Sequence, residues 1–147
     1  MSKNLFNGYE VKVQLIREEY NPGQSIRTPN DLNDVMDELR KKDREHFMCV
    51  YLDSQSRILG IETISIGTLN SSIVEQREVF KGALLANACS IMLLHNHPSG
   101  ETGASEQDKE ITKKLVQSGE ILGIKVLDHI IVGADKYLSM RGEGLII

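Results

Sequence analysis

Two histidines two positions apart, His95 and His97, are followed by Ser105 and Asp108. These residue types suit metal chemistry. Two neutral imidazoles and one carboxylate form a common ligand set for catalytic zinc, with the fourth position left to water. Zinc held this way lowers the pKa of its water toward about 7 and polarises a carbonyl oxygen. Side chains two apart on an extended chain point the same way. Both imidazoles can therefore converge at the end of the apolar run Ser90 to Leu94. Pro98 stops that run, and a Gly/Pro/Ser loop, His95 to Ala104, leads to a helix expected from Ser105. Asp108 falls in the first turn of that helix and can point back toward the histidines. A plainer reading competes with this one. Ser105-x-x-Asp108 is close to a capping box, in which Ser105 caps the helix and the acid favours its positive end. Capping alone does not account for the whole string, placed at a strand–loop–helix junction.

The elements around this junction follow from periodicity. His46 to Asp53 is apolar on both parities, which suits a central strand covered on both faces. The polar stretch Ser54 to Arg57 turns the chain back into a second strand, Ile58 to Gly67, so a hairpin is expected. Glu78 to Ala88 reads as a helix, as does Ser105 to about Leu122, ending near Gly123. Ile124 to Val132 reads as a strand, with two short strands closing the chain around Tyr137 and Leu145. Thr28-Pro29 opens a helix that runs through Leu32, Val35, Met36 and Leu39 to about Lys42, with Thr28 as its N-cap. Upstream, Val11, Val13 and Leu15 alternate with Lys12 and Gln14, predicting a strand within Tyr9 to Glu19, and Asn21-Pro22-Gly23 predicts a turn. Strands and helices alternate, so the class is mixed α/β (α+β), with a sheet flanked by helices.

Composition narrows the function. The chain has 147 residues, one domain's worth, and 40% of them are hydrophobic, enough to fill a core. A net charge of −4 gives no support for a duplex-binding domain. Two cysteines, Cys49 and Cys89, cannot build a disulfide framework and read as buried thiols of a cytoplasmic protein. The longest apolar run falls short of the ~20 residues of a membrane helix. The start of the chain lacks the pattern of a signal peptide.

His95-Asn96-His97, Ser105 and Asp108 together resemble the JAMM motif of JAB/MPN metalloprotease-like domains. Asn96-His97-Pro98-Ser99-Gly100 resembles the RadC branch in particular. So do Arg44-Glu45-His46-Phe47, Tyr51-Leu52-Asp53, Gly67-Thr68-Leu69-Asn70, Arg77-Glu78-Val79-Phe80 and Asp128-His129-Ile130-Ile131-Val132-Gly133. The resemblance covers the chain from about Pro29 to its end, which makes 29–147 the expected domain and 1–28 a segment with one strand packing on it. It implies the JAB/MPN fold, a curved central sheet flanked by helices and similar to that of cytidine deaminases.

The resemblance also implies roles. His95, His97 and Asp108 would be zinc ligands. Ser105 would hold the zinc-bound water or donate to the oxyanion of a tetrahedral intermediate. A glutamate near the junction of the first helix and the next strand would be the general base, and Glu45 occupies that place; Glu78 is its rival. The implied activity is a zinc-dependent hydrolase acting on an amide bond, peptide or isopeptide, of an unknown protein or peptide substrate. Two features depart from the branch. Glu101-Thr102-Gly103-Ala104 replaces a proline-containing stretch, which should loosen the loop. The first ~28 residues are too short for the helix-hairpin-helix module that full-length RadC proteins carry, which weakens a DNA-repair role. A non-catalytic or DNA-associated binding module is the alternative. Deaminase chemistry would need Cys-x-x-Cys, which neither cysteine offers. His129 reads as a core or hydrogen-bonding structural residue and Ser99 as a turn serine.

Overall fold

The computed structural model describes residues 11–14, 24–69 and 74–146. A single 3-10 turn, Pro29–Leu32, leads into α1 (Asn33–Arg40). There follow β1 (His46–Leu52), β2 (Ile58–Ile66), α2 (Gln76–Leu85), β3 (Ser90–Asn96), α3 (Glu106–Leu122), β4 (Lys125–Val132) and β5 (Tyr137–Ser139). The five strands form one sheet in the order β2-β1-β3-β4-β5. Only β3 and β4 run parallel; the other neighbours are antiparallel. This is the expected mixed α+β architecture, a sheet flanked by three helices.

The sheet divides two cores. On one face, Leu32, Met36 and Leu39 of the first helical segment pack on Val50, Leu52, Met92, Leu94 and Ile130. On the other, Val79, Phe80 and Ala83 of α2 and Ile111 and Leu115 of α3 cover Phe47, Cys49, Tyr51, Ile91 and Leu93. Alternate residues of β1 and β3 thus serve opposite cores. That is why both strands read as unbroken apolar runs. All of β3 is buried, as befits the middle of the sheet. The hairpin between β1 and β2 is set by Asp53. Its carboxylate accepts the backbone N–H groups of Gln55 and Arg57 and pairs with the Arg57 guanidinium.

α3 is delimited at both ends. Ser105 caps it, and Gly123 ends it at φ 75°, a left-handed conformation that favours glycine. Gly119 lies against the carbonyl of Ile124, so that β4 starts directly beneath the helix end. Among the described residues no helix is long and apolar enough to cross a membrane.

Several expectations are corrected. Residues 11–14 form no strand, and Val11 and Val13 are 80% and 66% exposed. Alternation marks a strand only where a neighbour covers its apolar side. The rest of that proposed strand and the Asn21-Pro22-Gly23 turn lie outside the described residues. The first helix opens as a 3-10 turn, with the Asp31 carboxylate accepting the N–H groups of Arg27 and Thr28. α2 starts at Gln76, ahead of Glu78. The strand around Leu145 is replaced by turns, with Leu145 N–H donating to Met140. Cys89 is exposed, because it sits in the bend entering β3; Cys49 is buried, as expected.

Candidate metal centre

β3 extends two residues beyond the expected Leu94, through His95 and Asn96. His95 is therefore part of the central strand. Its parity follows Ile91 and Leu93, which places its side chain on the face covered by α2 and α3. The His97 N–H donates to the Val132 carbonyl at 3.0 Å and prolongs the parallel ladder past the strand end. The loop that follows is tied to the turn after β4. Gly100 adopts φ 87°, its carbonyl accepts the Ala134 N–H, and Gly133 lies against that same carbonyl, where a Cβ would approach within 2.5 Å.

Three side chains converge here. Nε2 of His95 lies 2.9 Å from Nε2 of His97. Asp108 places Oδ1 at 3.2 Å from the first and Oδ2 at 3.2 Å from the second. Ligand atoms of all three residues lie within 4.8 Å of one another, so the group could hold a metal ion. His95 is 0% and Asp108 2% exposed, whereas His97 is half-buried at the mouth. The donor set fits a divalent cation. The Nδ1 of His97 faces the Glu101 carbonyl at 3.0 Å, an acceptor only, so the ring proton is held there and Nε2 is turned to the cluster. Two imidazole nitrogens this close require a proton or a cation between them, and a buried carboxylate beside them favours positive charge.

The electrostatics agree. The Asp108 hydrogen bond raises the His97 pKa, against the effect of partial burial. Burial pushes the Asp108 carboxyl up, yet the two histidines and the Ser105 N–H together hold it far below the usual carboxylate range. Asp108 also fills the capping role considered above. Its Oδ2 accepts the Ser105 N–H at 2.8 Å, and its own N–H donates to Ser105 Oγ at 3.0 Å. The cap and the His95–His97–Asp108 cluster share one arrangement rather than being alternatives. The exposed Ser105 hydroxyl accepts in that bond and keeps its own proton for another partner. Ser105→Ala is expected to cost about 1 kcal/mol of stability, the usual value of an N-cap, read from denaturant melts, with His95, His97 and Asp108 left in place.

Glu45 lies between α1 and β1, near enough for its charge to raise the His97 pKa. Its Oε2 accepts the Leu69 N–H at 2.5 Å. It lines a cleft of about 450 Å³ together with Arg44, Thr68 and Pro98. Glu78 is not brought to the cluster. It pairs with Lys81 at 2.9 Å and lines the groove against the last turn of α3, whereas Asp108 is in the first. Ser99 is a turn serine, its hydroxyl accepting the Glu101 N–H at 3.4 Å.

Four residues complete the surroundings of the cluster; the sequence singles out only His129 of them, as a core or hydrogen-bonding residue. Asn96, between the two histidines, donates through Nδ2 to the Arg44 carbonyl at 3.0 Å and accepts the His46 N–H at 2.7 Å. It thus grips the main chain on both sides of Glu45. A buried amide in an otherwise apolar strand is the sequence signal for such a role. His129 is buried on β4, with Nε2 2.7 Å from His95 Nδ1 and Nδ1 2.6 Å from Thr112 Oγ1. Burial drives its pKa well below the ordinary value. Phe47 packs against both rings, stacked on His95 and edge-on to His129. Thr112 is four residues beyond Asp108 and so on the same helix face.

Comparison with known proteins fits this geometry. Residues 26–145 match the RadC-like JAB domain. A UPF0758 protein of Bacillus cereus (strain AH187) is 46% identical over 144 residues, 97% of this chain and 64% of that protein. A UPF0758 protein of Bacillus anthracis (strain A0248) is 47% identical over 141 residues, 95% of this chain and 63% of that protein. The chain thus spans a little under two thirds of the length of the curated relatives it matches.

Proposed function

The chain belongs to the RadC-like JAB domain family, and from that premise we propose that it is a zinc-dependent hydrolase of amide bonds, peptide or isopeptide. The observation that carries the reading is the convergence of His95, His97 and Asp108 on one point, with the Glu45 carboxylate near enough for His97 to feel its charge. Zinc held there would supply Lewis acidity, polarising the scissile carbonyl and acidifying water in its open position. Three protein ligands and an open side suit a catalytic site better than a structural one, which four protein ligands normally close.

The chain's own groups supply the rest. Glu45 anchors one oxygen on the Leu69 N–H, leaving Oε1 to take a proton from the attacking water and return it to the leaving nitrogen. Asn96 fixes the backbone that carries this base. The Ser105 hydroxyl donates a hydrogen bond to the oxyanion formed as water adds to the carbonyl. The apolar wall of Phe47 keeps water from the inner side of His95 and strengthens these interactions. Two free thiols suit a reducing compartment, and we assign the protein to the cytoplasm.

Elemental analysis of the purified wild type and of His97→Ala tests the reading. Near-stoichiometric zinc in the wild type, lost in the variant, is the expected result. A wild type that takes up no zinc even after addition would overturn it and leave a non-catalytic binding module.

A further inference from the structure

We infer that Thr112 and His129 are positioning residues that hold the proton of His95 on Nδ1, so that its Nε2 faces the cluster as a bare lone pair. The inference rests on the metal reading above and deepens it. It follows from the direction of one hydroxyl. Thr112 Oγ1 donates to the Asp108 carbonyl at 2.6 Å; its other acceptor within reach is Met140 Sδ at 3.5 Å. Neither partner has a proton to give. The hydroxyl proton is therefore committed away from His129, and the hydroxyl oxygen must accept at 2.6 Å from His129 Nδ1–H.

His129 is 0% exposed, and neither of its ring partners is an acid. With its Nδ1–H committed to Thr112, and its Nε2 facing a ring that must keep its own proton on Nδ1 to leave Nε2 free, His129 holds one proton, on Nδ1, and a lone pair on Nε2. That lone pair faces His95 Nδ1 at 2.7 Å, so the proton between them belongs to His95. His95 Nε2 is left bare, as a metal ligand requires. The opposite setting would be self-defeating. A proton on His129 Nε2 would push that of His95 onto its own Nε2, into the place of the cation. The relay also closes on itself. It starts at the main-chain carbonyl of Asp108 and ends at the ring whose Nε2 meets the Asp108 side chain.

The test uses Thr112→Val, which removes the hydroxyl at nearly constant volume, and Thr112→Ser, which restores it. Zinc affinity is measured by competition with a chromophoric chelator, and the His95 tautomer by long-range nitrogen–proton NMR on the zinc-free protein. The expected results are a loss of about 10–100-fold in zinc affinity for Thr112→Val, wild-type affinity for Thr112→Ser, and an Nδ1–H tautomer for His95 in the wild type. Unchanged affinity in Thr112→Val, or an Nε2–H tautomer in the wild type, would overturn the inference. If Thr112→Val does not fold, the wild-type tautomer decides alone. A wild type that binds no zinc would end the hydrolase reading, while the tautomer, read without metal, would still decide this one.

Discussion

Glu45→Gln is expected to lower turnover by about 10²–10⁴-fold, the usual contribution of a positioned base, while leaving the zinc content at the wild-type level. The variant isolates proton transfer. Glutamine has the same shape and keeps a carbonyl oxygen for the Leu69 N–H that Glu45 accepts, so the loop from Gly67 to Leu69 stays in place. It loses only the ability to take a proton. The measurement is kcat on whichever member of a peptide and isopeptide library the zinc-loaded wild type cleaves, with zinc stoichiometry determined on the same samples. Turnover within a few-fold of wild type would remove Glu45 from the base role. Loss of zinc alongside turnover would make it a structural partner of His97 instead.

Asp108→Asn carries the second large effect. The carboxamide retains an oxygen for the Ser105 N–H, so the start of α3 keeps its cap. It removes the one negative charge in contact with both imidazoles. Zinc affinity is expected to fall by more than the 10–100-fold typical of losing an outer partner, as read by the same chelator competition. The metal-free protein gives an independent signature in its pH dependence. Asp108 has a lowered pKa in the fold, so its contribution is present above the ordinary carboxylate value of 3.8 and lost as pH falls. His97 has a raised one, so its contribution is present below 6.5 and lost as pH rises through the raised value. The metal-free wild type should exceed Asp108→Asn in stability most between these limits, and the gap should shrink in alkaline buffer. Denaturant melts across pH read this directly. A gap independent of pH would show that the carboxylate does not interact with His97 as described.

How much of this could be read from the sequence depended on how local each feature is. The cluster was legible because His95, His97 and Asp108 lie on one strand end, one loop and the next helix turn. Residue type and spacing suffice for such a cluster. The central strands were legible from apolar residues on both parities. The role of His129 was not. It depends on β3 and β4 pairing in parallel with Leu93 opposite His129, which sets the ring diagonally beside His95. Periodicity does not supply register between strands so far apart in the chain. Thr112 reads as any small residue on a buried helix face until His129 is known to be beneath it. The strand expected around Val11 and Val13 failed for a related reason. Alternation describes one segment, while burial takes two.

The Asn96 clamp has a consequence for how this site can diverge. The amide binds a carbonyl and an N–H of the main chain, not side chains. Nothing in that contact specifies which residues stand at positions 44 and 46. Position 44, which lines the cleft, can therefore change its charge and shape there while the carboxylate next to it stays where it is. Proline at position 46 is the one replacement the contact forbids outright, since it has no N–H to offer. The tolerance is uneven: a substitution at position 44 can alter the cleft beside Glu45, while Asn96 ties Glu45 and the two histidines into a unit that changes only together.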